Sequence, residues 1–256
     1  MATKEHNCLV EKFRTYTELD EAEETLLNGL QVDERPIEAG NFVHTDGARS
    51  EHLYVVKSGW FASVKELVDG TRAITEVALP GDVIGLRDVT FRQHLSSLQC
   101  LSSHAVICPF TKRQLHGLFN RSVKLTEAFF AIMSREHAQL VQRLVTVARR
   151  DGVRRLAHFI LETAIRLEGV RIDVRKDFNF PIDQQDLADL TGLSAVHVSR
   201  CMSELKSRSL ISYSRHRMHI LDRDALAELA EFDDAFLHPD IDWLRAIDAP
   251  EGDRSN

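Results

Sequence analysis

The sequence has no apolar run that approaches the roughly 20 residues of a membrane-spanning helix. Its first residues, Met1 to His6, lack the apolar core of a signal peptide, which predicts a cytoplasmic protein. No two of the four cysteines have C-x-x-C spacing, so neither a zinc site nor a disulfide framework is indicated. The G-x-S-x-G, P-loop, H-E-x-x-H and G-x-G-x-x-G motifs are also absent, and we therefore do not expect an enzyme.

From about Arg35 to Phe110 the chain consists of short apolar, β-prone runs that are separated by glycines. Strands this short, with a turn signal about every ten residues, are typical of a β-barrel or jelly-roll. Asp69-Gly70 is the pair that favours a tight hairpin between two of these runs. A short helix is predicted from Thr111 to Phe119.

Ser122 can cap a much longer helix that continues to about Arg150. At about 28 residues this helix would be about 42 Å long. Six apolar residues with helical spacing form one stripe along it: Leu125, Phe129, Ile132, Leu140, Leu144 and Val147. The stripe favours a helix from a second copy as its cover, as in a coiled coil, and the alternative is a core helix packed against the barrel.

Two capped helices meeting at a glycine are predicted between Asp183 and Lys206. Asp183 and Ser194 have the side chains of N-caps, and Gly192 permits the positive φ of a tight exit. Apolar spacing directs one face of each helix inward, which leaves a polar, basic outer face on the second helix: His197, Ser199, Arg200 and Lys206. The pattern predicts a helix-turn-helix, although an ordinary helical hairpin has the same signature.

Two short strands follow, Leu210–Tyr213 and Met218–Leu221, with Arg215 and Arg217 in the turn between them. A helix-turn-helix with a basic wing is a more specific signal for DNA binding than the helices alone. Residues 149–221 hold 13 basic and 9 acidic side chains, whereas the whole chain has a net charge of -7. The basic segment therefore coincides with the predicted DNA-binding region.

These elements predict an α+β fold with an N-terminal double-stranded β-helix, or jelly-roll, a long dimerisation helix and a C-terminal winged helix-turn-helix. Further helices are expected within residues 5–30, at 153–168 and at 224–236, with a strand-and-loop connection at 170–181. The predicted divisions are a sensor domain at 1–121, the dimerisation helix at 122–150, the DNA-binding domain at 151–236 and an acidic tail at 237–256.

This order of elements resembles the CRP/FNR family of bacterial transcription regulators over residues 10–230. The stretches that carry the resemblance are Leu53–Gly59, Leu79–Gly85 and Asp186–Ile211. The resemblance implies a homodimer that binds a palindromic operator, contacts RNA polymerase and responds to a signal at the β-roll. A ligand- or redox-sensing module that acts through protein partners is the alternative function.

The family's cyclic-AMP pocket would be formed here by Gly85, Leu86, Arg87, Ser96 and Ser97. Relatives that bind cyclic AMP have a glutamate where Leu86 stands and an arginine where Ser96 stands, so both charged ligand contacts are lost. An unpaired phosphate in a partly buried pocket is costly, which argues against cyclic AMP.

Cys8 has no neighbouring cysteine, which argues against the iron–sulfur cluster of the oxygen-sensing relatives. Haem and thiol oxidation stay open as signals, and so does an empty pocket, in which case the abundance of the protein would set its activity. Haem would need one of the β-roll histidines, His44, His52, His94 or His104, and oxidation would need Cys8, Cys100 or Cys108.

In the second helix, many relatives have a glutamate where Val196 stands, whereas Ser199-Arg200 matches the FNR-like branch. The resemblance implies that Arg200 reads guanine and Ser194 contacts phosphate, with Val196 against a thymine methyl group and His197 on a base or phosphate. Arg215 and Arg217 would contact phosphates from the wing.

Overall fold

The computed structural model describes residues 6–238 and 241, and in this range the chain has an α+β fold. The helices are α1 (Cys8–Arg14), α2 (Glu21–Asn28), α3 (Lys112–Phe119), α4 (Val123–Arg149), α5 (Gly152–Gly169), α6 (Gln184–Thr191), α7 (Ala195–Ser207) and α8 (Arg223–Ala230). The strands are β1 (Arg35–Ile37), β2 (Phe42–His44), β3 (His52–Ser58), β4 (Phe61–Glu66), β5 (Arg72–Ala78), β6 (Val83–Ile84), β7 (Ser97–Cys100), β8 (Ala105–Thr111), β9 (Phe178–Asn179), β10 (Ile211–Ser214) and β11 (Arg217–Ile220). None of these helices is long and apolar enough to cross a membrane.

Strands β1 to β8 form the predicted jelly-roll. One antiparallel sheet has the order β1-β8-β3-β6, and the other has the order β2-β7-β4-β5. Apolar side chains from both sheets meet in the interior, including Val56 and Ile107 from one sheet and Leu98 from the other. Gly70 has a φ of 81° at the predicted hairpin between β4 and β5, where the Leu67 amide donates to the Thr71 carbonyl.

Helix α4 begins after Ser122, whose Oγ accepts a hydrogen bond from the Leu125 amide at 3.1 Å, as the predicted cap requires. Leu125, Phe129 and Ile132 are buried against the jelly-roll and α1. The prediction that these three residues line a dimer stripe is wrong, because the protein's own core already covers them. The exposed apolar side chains form a different face of α4: Phe130, Met133, Leu140, Val141, Leu144, Val145 and Val147. Packing of the helix against the jelly-roll is therefore confirmed for one face of α4, and pairing with a second copy stays a prediction for the exposed face.

The C-terminal half packs helices α5 to α8 around a core with the small sheet β10-β11-β9. This core continues into the jelly-roll, because Trp60, just before β4, packs edge-on against Phe180 with ring centroids 5.5 Å apart. The two halves of the molecule are therefore joined by apolar contact as well as by the chain.

Helix α8 is shorter than predicted. It ends at Ala230, where Glu231 adopts a left-handed conformation with a φ of 49°, and a single 3₁₀ turn follows at Ala235–Leu237. The apolar spacing of residues 224–236 continues through this break, which is why the pattern predicted one longer helix. Most of the predicted acidic tail, at 239–240 and 242–256, lies outside the described residues.

Candidate nucleic-acid interface

Helices α6 and α7 have the predicted caps and turn. Asp183 Oδ1 accepts from the Asp186 amide at 2.7 Å, and Ser194 Oγ accepts from the His197 amide at 3.2 Å. Gly192 ends α6 with a φ of 68°, a conformation that a residue with a Cβ adopts at a cost. Three local signals thus position α7 as the second helix of a helix-turn-helix.

The inner face of α7 consists of Val198, Cys201, Met202 and Leu205, all of them buried. At 100° per residue, the opposite face is centred on Val196, Arg200, Ser203 and Ser207. Val196 is 62% exposed, and Arg200 makes no ion pair or side-chain hydrogen bond within residues 6–238. The sequence interpretation missed Ser203 and Ser207, although the same helical spacing places both on the outer face.

His197 and Ser199 lie at the sides of this outer face. His197 is turned toward the start of α5, where a Cβ on Gly152 would come within 3.0 Å of its Nε2 and 2.9 Å of Cys201 Sγ. Gly152 therefore allows α5 and α7 to approach closely. Ser199 is half-buried, and its carbonyl accepts from Ser203 Oγ at 2.9 Å.

The wing is a two-residue hairpin in which Ser214 pairs with Arg217. Arg215 and His216 both have positive φ, at 51° and 60°. Such a turn favours Asn-Gly, and each residue with a Cβ costs about 1–2 kcal/mol in this conformation. The strained turn presents Arg215 to solvent at its tip.

The other basic residues near the wing have intramolecular contacts. Arg217 Nε is 2.5 Å from Asp177 Oδ2, and Lys206 Nζ lies 5.6 Å from the centre of the Tyr213 ring. The Tyr213 hydroxyl in turn donates to the Ile182 carbonyl at 3.0 Å. Of the predicted phosphate contacts, Arg215 is therefore the one whose charge is unpaired within the described chain.

Arg155 connects the helix-turn-helix to the end of the long helix. Its Nε donates to the Arg150 carbonyl and its Nη1 to the Thr191 carbonyl, each at 2.8 Å. These carbonyls stand just after the last residue of α4 and at the end of α6, where helices leave acceptors without partners. Arg155 thereby orients α6 relative to α4, which the sequence interpretation did not detect.

A buried cluster of charges joins the jelly-roll to α5. Asp82 pairs with Lys12, and its Oδ2 accepts from Arg166 Nη2 at 2.6 Å and from the Leu79 amide at 2.8 Å. Burial alone would raise the pKa of Asp82, but Lys12 and Arg166 outweigh it and hold that pKa below the ordinary range. The carboxylate stays ionised and connects three elements that are distant in sequence.

A second ionic contact joins the two halves nearer to the DNA-binding surface. Arg72 of β5 pairs with Asp186 at 2.8 Å and with Asp189 at 2.9 Å. Both acids belong to α6, so the first helix of the helix-turn-helix rests directly on the jelly-roll.

Of the five predicted effector-pocket residues, Arg87 and Ser96 contact each other, whereas the other three have different surroundings. Arg87 Nη2 donates to Ser96 Oγ at 2.8 Å, and Ser97 Oγ accepts from the Asp46 amide at 2.9 Å. Leu86 is buried in the apolar core that contains Phe129, and Gly85 has a φ of 95° in the preceding turn. The guanidinium of Arg87 thus lies beside Ser96, the residue that stands where cyclic-AMP-binding relatives have an arginine, although Arg87 comes nine residues earlier in the chain.

Beside this arginine is a histidine cluster that the sequence did not single out as a unit. The rings of His44 and His94 stack with their centroids 3.6 Å apart, and His94 Nδ1 lies 3.2 Å from the buried Asp88 Oδ2. Burial, together with His94, lowers the pKa of His44 to about 4. The His44 ring is also hydrogen-bonded to the backbone of Ser96, so the stacked pair lies next to that residue.

We expect acid to destabilise the fold through buried histidines. His158 of α5 is 3% exposed, and burial lowers its pKa from 6.5 to about 4. As pH falls, the unfolded chain takes up a proton on this histidine before the folded protein does. The free energy of unfolding therefore keeps its full value above pH 6.5 and decreases as pH falls toward 4, by at most about 3 kcal/mol. Urea unfolding at pH 7.5 and 5 measures the loss.

His158→Phe should reduce this acid sensitivity, whereas His238→Phe, at an exposed histidine, should leave it intact. Equal acid sensitivity in His158→Phe and in the unchanged protein would contradict the prediction.

Comparisons with known proteins agree with this architecture. The Crp-like helix-turn-helix domain model matches residues 154–229, and the cyclic nucleotide-binding domain model matches residues 34–122. The fumarate and nitrate reduction regulatory protein of Vibrio cholerae is 25% identical over 212 residues, which are 83% of this chain and 84% of that protein. The transcriptional activator protein Anr of Pseudomonas protegens is 25% identical over 196 residues, 77% of this chain and 80% of the relative.

The solved structure of FixK2 from Bradyrhizobium japonicum has the same fold, with a TM-score of 0.68 and 23% identity. The similarity covers 77% of this chain and 96% of FixK2. With a cyclic nucleotide-binding domain, a long helix and a Crp-like helix-turn-helix in that order, the chain belongs to the CRP/FNR family of DNA-binding transcription regulators.

Proposed function

We propose that the protein binds a palindromic operator as a homodimer and reads each half-site with the outer face of α7. The observation that carries the proposal is the unpaired guanidinium of Arg200 beside the exposed Val196. A bidentate arginine reads the acceptor edge of guanine, and an aliphatic side chain packs against a thymine methyl group. The operator should therefore differ from one read by a glutamate at position 196.

Around these base contacts, Ser194, Ser199 and Ser203 lie where phosphates or sugars would pass. Arg215 is suited to a phosphate because its charge is exposed at the wing tip. Lys206 and Arg217 would contribute phosphate contacts only by leaving Tyr213 and Asp177. His197 has the second role of packing against α5, which restricts its reach toward a base.

Dimerisation is assigned to the exposed face of α4 that includes Leu140, Leu144 and Val147. A second copy of α4 would cover this face in a coiled coil, and the pair would present two recognition helices to two half-sites. Contact with RNA polymerase is the further partner that the family implies. The proposed domain division keeps the segment 122–150, which contains α4, between the sensor domain at 1–121 and the DNA-binding domain at 151–236.

The proposal includes no cyclic AMP in the β-roll. Leu86 belongs to the apolar core and has no acceptor for a ribose hydroxyl, and Arg87 already donates to Ser96. A nucleotide would also have to displace the stacked pair of His44 and His94 from the space next to Ser96.

We expect Arg200→Ala to lower operator affinity about 10- to 100-fold and to remove the preference for guanine at one position of each half-site. The operator is first selected from random duplex DNA with the unchanged protein, and fluorescence anisotropy then measures affinity for it and for single-base variants. Arg49→Ala, at an exposed arginine of the sensor domain, is the matched control and should bind normally. Unchanged affinity and base preference in Arg200→Ala would exclude this recognition surface.

A further inference from the structure

The chain continues past the part that matches the DNA-binding domain model, which ends at residue 229. Glu231 turns the backbone with a positive φ, and the Phe232 amide donates back to the Ala227 carbonyl at 3.0 Å. Residues 231–238 and Ile241, here called the C-terminal strap, then lead away from the helix-turn-helix. The strap thus lies beyond the part of the chain that the helix-turn-helix domain model matches.

Aromatic packing attaches the strap to α5. The Phe232 ring packs edge-on against the buried His158 with centroids 4.7 Å apart, and the Phe236 ring stacks on it at 5.9 Å with an interplanar angle of 15°. The two phenylalanines also contact each other at 5.9 Å. The two rings of the strap therefore cover the buried His158.

The strap then reaches the long helix and the sensor domain. The turn at Ala235–Leu237 packs against α4 as well as α5, and Leu237 is buried. Ile241 packs against the apolar core of the jelly-roll and α4 that contains Phe129. One short segment thereby touches α5, α4 and the sensor core.

Ionic contacts attach the same segment at the junction between α4 and α5. Arg150 Nη2 donates to the Glu231 carbonyl at 3.2 Å, and Arg154 Nη1 lies 3.1 Å from Glu231 Oε1. These arginines stand on either side of Asp151, where the direction of the chain changes between the two helices. The junction is the place where the DNA-binding domain would rotate relative to α4.

We propose that the C-terminal strap is a positioning element, which bridges the α4–α5 junction and holds the DNA-binding domain in the orientation used on the operator. A dimer binds two half-sites only when its recognition helices have a fixed separation. A mobile junction must be ordered on binding, and that ordering weakens affinity. The inference rests on the proposed dimeric operator binding, but the contacts across the junction can be tested without DNA.

Cleavage by trypsin can report on the opening of the junction, because four of its seven residues are arginines: Arg149, Arg150, Arg154 and Arg155. In the full-length Phe232→Ala/Phe236→Ala protein, we expect cleavage between residues 149 and 155 to be about 5- to 10-fold faster, since local opening controls proteolysis. Mass spectrometry identifies the fragments. Phe42→Ala/Phe91→Ala, which removes two exposed phenylalanines of the sensor domain, is the matched control and should be cleaved at the normal rate.

Operator affinity of the same variant should fall about 5- to 20-fold, with an unchanged dependence on salt because no phosphate contact is lost. Hydrogen exchange of α6 and α7 should keep its protection, which distinguishes lost positioning from an unfolded helix-turn-helix. If the double variant does not fold, Glu231→Gln tests the same junction through the exposed pair with Arg154, with a smaller effect in the same direction.

An unchanged rate of junction cleavage in Phe232→Ala/Phe236→Ala would contradict the proposed role of the strap. Unchanged or tighter operator binding by a variant with faster cleavage would contradict it as well. If the unchanged protein selects no operator, the proposed function fails, whereas the cleavage result still decides whether the strap restrains the junction.

Discussion

Leu144→Glu should convert the protein to a monomer and lower operator affinity by about 100-fold or more. Leu144 is 69% exposed in the single chain and belongs to the C-terminal part of the exposed apolar face of α4. In a parallel pair of helices the two copies of residue 144 would face each other, so two carboxylates would be buried without partners. Each monomer would then retain only one recognition helix, and the second half-site would no longer contribute.

Analytical ultracentrifugation measures the oligomeric state, and anisotropy on the selected operator measures affinity. Val32→Glu places the same charge on another exposed apolar residue, outside α4, and should leave the protein dimeric. A dimer that persists in Leu144→Glu would show that another surface joins the subunits.

Arg166→Met should lower the free energy of unfolding by about 3–5 kcal/mol, because it removes a buried cation that compensates the buried carboxylates of Asp82 and Glu162. Arg166 contacts three acceptors of the domain junction: the Asp82 carboxylate, the Glu162 carboxylate and the Val77 carbonyl. The methionine fills similar volume but donates no hydrogen bond, so Asp82 keeps Lys12 as its one remaining ionic partner among the described residues. The loss should also weaken the contact between α5 and the jelly-roll.

Arg171→Met is the matched control. Arg171 pairs with Glu11 at 2.7 Å, but its side chain is 70% exposed, and Arg14 also pairs with that carboxylate. Loss of this ion pair should therefore lower the free energy of unfolding by at most about 1 kcal/mol. Urea unfolding followed by tryptophan fluorescence suits the comparison, since Trp60 lies at the junction. Equal stability of the two variants would mean that the buried cluster does not hold the domains together.

The prediction of local structure from the sequence succeeded where the signal lay within a few residues. Caps at Asp183, Ser194 and Ser122 depend on a side chain and an amide three residues apart, and Gly192 depends on its own φ. The jelly-roll followed from alternating apolar runs and glycine turns, and the family from the order of these elements. The wing followed from two strands and a basic turn.

The sequence predicted less well which apolar or basic residues stay exposed and which are covered by another part of the chain. Leu125 and Leu144 have the same helical signature, but one lies against the jelly-roll and the other is exposed. Periodicity shows that a residue belongs to an apolar face, but it does not show which partner covers that face. The sequence likewise does not show which partner an exposed charge has. Arg217 is a basic residue of the wing, as a phosphate contact would be, yet it pairs with Asp177, 40 positions earlier in the chain.

The sequence by itself thus determined the helix-turn-helix, its caps, its glycine turn and the polar composition of the recognition helix, because these depend on neighbours within a turn or two. Only the tertiary structure decided which face of α4 stays exposed, how Asp82 joins three elements and how the C-terminal strap returns to the sensor domain. These contacts join residues from 70 to more than 100 positions apart, and their geometry exists only once the whole chain has folded.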